Sequence, residues 1–218
     1  TLSDEKIAAL QDECDFWRFL QFEFFRELTA LKDYAKSKNV ALIGDIPIYV
    51  AYDSADVWAH PEIFRLDKNM RPKEVAGVPP DYFSADGQLW GNPLYDWKKQ
   101  QADGFLWWHN RLLHQLQFFD KIRIDHFRAF ESYYAVPSGA KTAKIGRWVK
   151  GVGTKIFDGL DIDGRIIAED LGIITDKVRR LVKRTGFPGM KVFQFAFDGK
   201  SDNEHLPENV RYNTVYYT

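Results

Sequence analysis

Two short runs put carboxylates where strand patterning would otherwise put apolar side chains. Lys121-Ile122-Arg123-Ile124-Asp125-His126-Phe127-Arg128 reads as a β-strand. Side chains alternate between the two faces of a strand, so Ile122 and Ile124 share one face and Arg123 and Asp125 the other. The isoleucine face can pack under helices. The Arg123/Asp125 face needs a polar interior or a ligand, because buried charge is costly unless paired. Arg165-Ile166-Ile167-Ala168-Glu169-Asp170-Leu171 repeats the pattern with a glutamate. Two strands offering one carboxylate each are raw material for acid–base and nucleophilic chemistry. Taken singly, each residue has a structural alternative. Asp125 with Arg123 could be an ion pair inside a sheet, and Glu169-Asp170 an acidic pair favoured by a helix dipole. His126 could be a satisfied rim histidine, and Asp45 after Gly44 a turn former. The combination at several strand ends is what points to a site.

The elements that must hold these residues follow from hydrophobic periodicity. Residues 5–38 predict a helix whose apolar face runs through Trp17, Leu20, Phe24, Leu28, Leu31 and Ala35, with Ser3 as cap and Asn39 as left-handed stop. Residues 40–43 predict a strand ending at Gly44-Asp45. A helix over 98–119 carries Phe105, Trp108, Leu112, Leu113 and Leu116, and the strand 121–127 follows. A helical stretch at 142–158 leads to a strand at 165–171. A basic amphipathic helix at 176–185 stops at Gly186 and Pro188, and strands are expected at 191–197 and 213–217. Strands alternating with helices define an α/β fold with a parallel sheet. The charged residues lie toward the carboxyl ends of the strands, where α/β proteins place their sites. No Gly-x-Gly-x-x-Gly or phosphate-cradling loop is present, which disfavours a nucleotide-binding doubly wound sheet.

Residues 46–97 break the rhythm, since most connections are only a few residues long. The segment is full of turn formers and rings: Tyr49, Tyr52, Trp58, Phe64, Tyr82, Phe83, Trp90, Tyr95 and Trp97. Disordered segments are poor in aromatics, so an ordered loop or small subdomain over the active end is expected.

Composition bounds the partners. The net charge of −1 argues against nucleic-acid or membrane-surface binding by bulk electrostatics. Aromatic residues make up 16% of the chain, an excess that suits stacking on sugar faces and equally suits an aromatic-rich core. The single cysteine, Cys14, precludes an internal disulfide and fits a reducing, cytoplasmic setting. No His/Cys cluster offers a metal site, and no cofactor is expected.

Six ordered motifs together carry a resemblance. They are Gly44-Asp45-Ile46-Pro47-Ile48-Tyr49-Val50, Gly77-Val78-Pro79-Pro80-Asp81-Tyr82-Phe83-Ser84, Gly87-Gln88-Leu89-Trp90-Gly91-Asn92-Pro93, Arg123-Ile124-Asp125-His126-Phe127-Arg128, Ala168-Glu169-Asp170-Leu171-Gly172 and Pro188-Gly189-Met190-Lys191-Val192. The series resembles amylomaltase, the 4-α-glucanotransferase or disproportionating-enzyme family of the α-amylase clan, from about residue 16 onward. The resemblance implies a (β/α)₈ TIM barrel with insertions, of which residues 1–218 would form the central part, approximately strands three to seven, with 46–97 as an active-site insertion. It implies Asp125 as nucleophile and Glu169 as acid/base, with Arg123 holding the nucleophile. Asp45 and His126 would contact the sugar, and Asp170 would lie in the substrate site. Asp81, Gln88 and Trp90 would belong to a long active-site loop in which Trp90 stacks on glucose. Phe195 would line an acceptor subsite. The substrates implied are α-1,4-glucans: maltose, maltooligosaccharides, starch or glycogen chains.

The residue chemistry agrees with that implication. Retaining glycosyl transfer needs two carboxyls roughly 5–5.5 Å apart, one ionised and one protonated. The family also has a third catalytic carboxylate in a Gly-Thr-His-Asp-Asn-Asp motif after the seventh strand, which Asn213-Thr214-Val215-Tyr216-Tyr217-Thr218 resembles. The sequence therefore reads as part of a longer chain, and two readings stay open. One is the catalytic core of a 4-α-glucanotransferase; the other is a piece that only binds α-glucan or self-associates, with little turnover alone. An α-glucan hydrolase is a third reading, which the long loop fits less well.

Overall fold

The computed structural model describes residues 3–81, 84–172, 174–210 and 213–218. Tyr82 and Phe83, part of the second motif, lie outside the described residues.

The chain opens with two helices, α1 (Asp4–Ala9) and α2 (Gln11–Ser37), where one was expected. Asn39 adopts φ 57° and ends α2 as anticipated, with the Val40 N–H returning to the Ala35 carbonyl. The expected apolar face is corrected. Trp17, Leu20, Phe24 and Leu31 are exposed, and only Ala35 of that series is buried. Apolar residues surround most of this helix, so periodicity alone does not select the packed stripe. That stripe runs through Phe25, which stacks on Phe118 of the later helix α5 (Leu106–Phe118), and through Lys32, which donates to the Gln117 carbonyl.

Strand β1 (Ile43–Pro47) starts three residues later than expected, so Asp45 lies within the strand and not after it. The segment read as one long loop contains α3 (Ala55–Ala59), capped by Ser54, and the strands β2 (Glu74–Val78) and β3 (Gln88–Pro93). Then come α4 (Trp97–Ala102) and α5, separated by Phe105 at φ 60°. Strand β4 (Lys121–Asp125) is followed by β5 (Ser132–Pro137) and β6 (Arg147–Lys150). The helix expected over 142–158 is replaced by β6 and two 3₁₀ turns. The rest is β7 (Ile166–Ala168), α6 (Asp176–Thr185, ended by Gly186), β8 (Gly189–Val192) and β9 (Thr214–Tyr217).

The five strands expected to run parallel do so in two groups, β1-β4-β7 and β8-β9. The Ala168 N–H donates to the Pro188 carbonyl and links the groups. Residues from all five strands line one cavity of about 470 Å³, with Asp45 and Arg123 the charged groups in its wall. The remaining strands form an antiparallel sheet in the order β3-β2-β5-β6. The insertion is therefore not self-contained: half its sheet comes from residues after β4.

The main core lies between the parallel strands and the helices. Ile122, Ile124 and Ile166 are fully buried against Trp108, Leu112 and Phe127. Tyr95 sits among Tyr49, Phe64, Trp97, Trp107 and Trp108, while Phe127, Phe130, Phe157 and Phe187 form a second ring cluster. Much of the aromatic excess is therefore core packing. Among the described residues no helix is long and apolar enough to cross a membrane.

Candidate active site

Parallel pairing brings the charged positions of β1 and β4 into register, with β7 alongside. Asp45 is opposite Arg123, Pro47 opposite Asp125, and Arg123 opposite Ile167. The isoleucines between them face the core, so Asp45, Arg123 and Asp125 are left on the cavity side, as alternation demands. The Arg123 guanidinium uses both arms, donating to Asp45 Oδ2 at 2.8 Å and to Asp125 Oδ1 at 2.8 Å. Burial works against the Arg123 charge, but the bond to Asp45 and the charges of Asp125, Asp45 and Glu169 outweigh it and hold its pKa above the usual value.

Glu169 follows β7 directly, one strand over from Asp125. Its Oε2 accepts the His126 N–H at 2.8 Å and its Oε1 the Leu171 N–H at 2.7 Å. Burial pushes its pKa up, and the nearby Asp125 charge adds to the rise, while the two peptide donors and Arg123 oppose it. The net direction is upward, toward a protonated acid.

His126 stands in the left-handed region at φ 55°, where Asn, Asp and His are enriched among non-glycine residues. Burial, with the Arg128 charge behind it, lowers its pKa from 6.5 to about 4, so the ring is neutral at pH 7. Its Nε2 is buried with no hydrogen-bond partner among the described residues. Trp90 packs edge-on against this ring, with centroids 4.8 Å apart, and donates from Nε1 to Gln88 Oε1. Trp90 and Gln88 belong to β3, so the insertion does reach the carboxylate centre.

The other expected residues are held by other groups. Asp81 Oδ1 accepts from Ser84 N–H at 2.9 Å. Asp170 turns toward β8 and accepts from Met190 N at 2.8 Å; burial raises its pKa against that bond and the Lys191 charge. Phe195 lies beyond β8, edge-on to His205. Sequence reasoning missed Arg111 of α5. Its guanidinium donates to the Pro47 carbonyl at 2.8 Å and lies over the Trp107 and Trp108 rings, bracing the end of β1 two residues from Asp45. An arginine between leucines and rings carries no local signal for that role. Among the described residues, no group of three His, Cys, Asp or Glu is placed to hold a metal ion.

The chain is an α/β protein with carboxylates at neighbouring parallel strand ends. The glycoside hydrolase family 77 model, described as 4-alpha-glucanotransferase, matches residues 3–218, and the chain belongs to that family. The 4-alpha-glucanotransferase of Clostridium butyricum is 51% identical over 213 residues, covering 96% of this chain and 44% of that protein. The chloroplastic/amyloplastic 4-alpha-glucanotransferase of Solanum tuberosum is 48% identical over 227 residues, covering 100% of this chain and 39% of its own length. The fold is similar to that of amylomaltase from Streptococcus agalactiae in complex with acarbose, with TM-score 0.93 and 39% identity, over 99% of this chain and 45% of that one. The chain thus spans less than half the length of these relatives.

Proposed function

We propose that residues 1–218 are the central part of a catalytic (β/α)₈ barrel, approximately strands three to seven, with 46–97 as an active-site subdomain. The protein containing them transfers α-1,4-glucan segments to the 4-hydroxyl of an acceptor glucan or glucose. The five parallel strands around one cavity support the barrel, and the family and its relatives support the chemistry. The observation that carries the reading is the pairing of Asp125, held by Arg123, with a half-buried Glu169 of raised proton affinity at the next strand end.

In this mechanism Asp125 attacks the anomeric carbon and forms a covalent glycosyl-enzyme. Glu169 gives its proton to the departing 4-oxygen. It then takes the proton of the incoming 4-hydroxyl, whose oxygen attacks the anomeric carbon and displaces Asp125. Arg123 orients Asp125. Asp45 and the neutral His126 ring hydrogen-bond the sugar, and the unpartnered Nε2 suits that task. Trp90 stacks on a glucose ring beside His126, and Gln88 fixes the indole. Asp81, Asp170 and Phe195 serve further subsites. Maltose, maltooligosaccharides and starch or glycogen chains are the substrates, and the setting is the cytoplasm. Rings that cover the intermediate favour sugar over water as acceptor.

The test is disproportionation of maltotriose by the whole protein, following glucose and longer oligomers. Asp125→Asn and Glu169→Gln should each lose on the order of 10²–10⁴-fold in turnover. Near-normal turnover by either variant overturns the assignment. Glucan binding without turnover by the unaltered protein supports a binding role instead.

A further inference from the structure

The ladder between β4 and β7 contains one residue too many at its carboxyl end. A regular parallel ladder would continue from the Ile124–Ala168 pair by sending Glu169 N–H to the Ile124 carbonyl and His126 N–H to the Glu169 carbonyl. The first bond is present at 3.2 Å. The second is not: the Glu169 carbonyl takes the Phe127 N–H instead, also at 3.2 Å. One residue is inserted in β4 relative to β7, a β-bulge whose extra residue has left-handed backbone. The N–H released by that insertion is the one His126 donates to Glu169 Oε2 at 2.8 Å.

We propose that His126 is a positioning residue for Glu169 through its main chain, with the left-handed bulge serving to aim its peptide N–H at the acid/base carboxyl. The inference rests on the reading of Glu169 as acid/base and deepens it. Each carboxyl oxygen has two lone pairs, and each is already engaged once, by His126 N–H on Oε2 and by Leu171 N–H on Oε1. The two peptide donors fix the plane of the group and leave one acceptor direction on each oxygen for the catalytic proton and the glycosidic oxygen. They also favour the ionised form, against burial and the charge of Asp125. The donor therefore keeps Glu169 from becoming too basic to release its proton and lets it work in both directions.

The same peptide joins the two halves of the reaction, since the Asp125–His126 bond ties the nucleophile to the donor that holds the acid. The charged groups that face this centre are Arg123 and Asp125 from β4 and Asp45 from β1, while Asp170 turns to β8 and the Lys191 charge. The His126 ring, its pKa lowered to about 4, is neutral near pH 7. Removing the His126 N–H therefore tests one donor's effect within a fixed set of charges.

Two measurements on the whole protein test this. In protein labelled with ¹⁵N-histidine, the His126 amide proton should titrate with the midpoint of the basic limb of kcat/KM and become invariant with pH in Glu169→Gln. A flat His126 amide in the unaltered protein overturns the proposal, and this arm needs no variant that must fold. In the second arm, the Asp125–His126 peptide is replaced by an ester carrying the same imidazole side chain. Removing that one N–H should move the basic limb up by about one pH unit, the typical effect of one donor on a carboxylate. An unmoved limb overturns the proposal. If Glu169→Gln keeps turnover while the amide titrates, it is the acid/base reading that fails and not the hydrogen bond.

Discussion

Replacing Arg123 with alanine probes the tie between β1 and β4 at the carboxylate centre. The change removes two charge-assisted hydrogen bonds of 2.8 Å, one to Asp45 and one to Asp125, and leaves those carboxylates facing each other without a cation. The arginine side chain is 27% exposed, but Asp45 and Asp125 are 55% and 45% exposed. Exposed ion pairs contribute about 0.2–1 kcal/mol, and hydrogen bonds to charged groups about 1.5–3 kcal/mol when sheltered. Partners half in solvent place each bond near the lower range, so Arg123→Ala should cost about 1–2 kcal/mol of stability at pH 7. High salt should shrink the loss. Turnover should fall much further, by about 10²-fold or more, because Asp125, the proposed nucleophile, loses its orienting donor. Arg123→Lys keeps the charge but not the fork that spans two carboxylates, so it should recover part of the stability and little of the rate. A double-mutant cycle with Asp45→Asn, followed by urea unfolding, should give a coupling of about 0.5–1 kcal/mol. The Glu169 proton affinity should rise once the Arg123 charge is gone, moving the basic limb of the pH profile upward. Unchanged unfolding with turnover within about threefold of the unaltered protein would refute this account of Arg123.

Other outcomes follow from the same geometry. The folded-state pKa of His126 is depressed to about 4, so the unfolded chain takes up that proton first. The protein should lose stability as pH falls from 6.5 toward 4, by at most about 1.4 kcal/mol per unit. His126→Asn should lack that part of the slope in acid unfolding. Glu169 has the opposite linkage: its raised folded pKa means that ionisation costs the folded state, so Glu169→Gln should gain stability relative to the parent as pH rises through that pKa. A Cβ on Gly189 would lie 2.8 Å from both Asp170 oxygens, and Met190 N–H holds Oδ1 in place. Gly189→Ala should therefore destabilise by about 1–3 kcal/mol in thermal unfolding. Trp108→Ala opens a fully buried site amid rings and should cost about 3–5 kcal/mol by denaturant titration.

The parallel strands were legible because isoleucine and charge alternate so plainly at 121–125, and because Gly186 and the Asp176–Thr185 pattern bound a helix cleanly. The antiparallel sheet was not. Its strand β5 finds a partner in β2, far back in the chain, β6 then pairs with β5, and a four-residue run such as Arg147–Lys150 has no periodicity of its own. The stripe of α2 was misjudged because rings surround that helix and only α5 decides which side packs. At the site, the carboxylates and Arg123 could be read from alternation. The bulge at His126 and the brace from Arg111 could not, since one depends on ladder register and the other on a helix reaching a distant strand end.

The central claim is that Asp125 carries the glycosyl group. The most direct measurement uses the Glu169→Gln form of the whole protein with α-maltosyl fluoride, whose leaving group needs no acid. Attack can proceed, but release to an acceptor lacks its base, so the intermediate accumulates. Peptide mass spectrometry should find a maltosyl group esterified to the Asp125 side chain and lost in Asp125→Asn. An adduct on another residue, or none while fluoride is still released, would contradict the account.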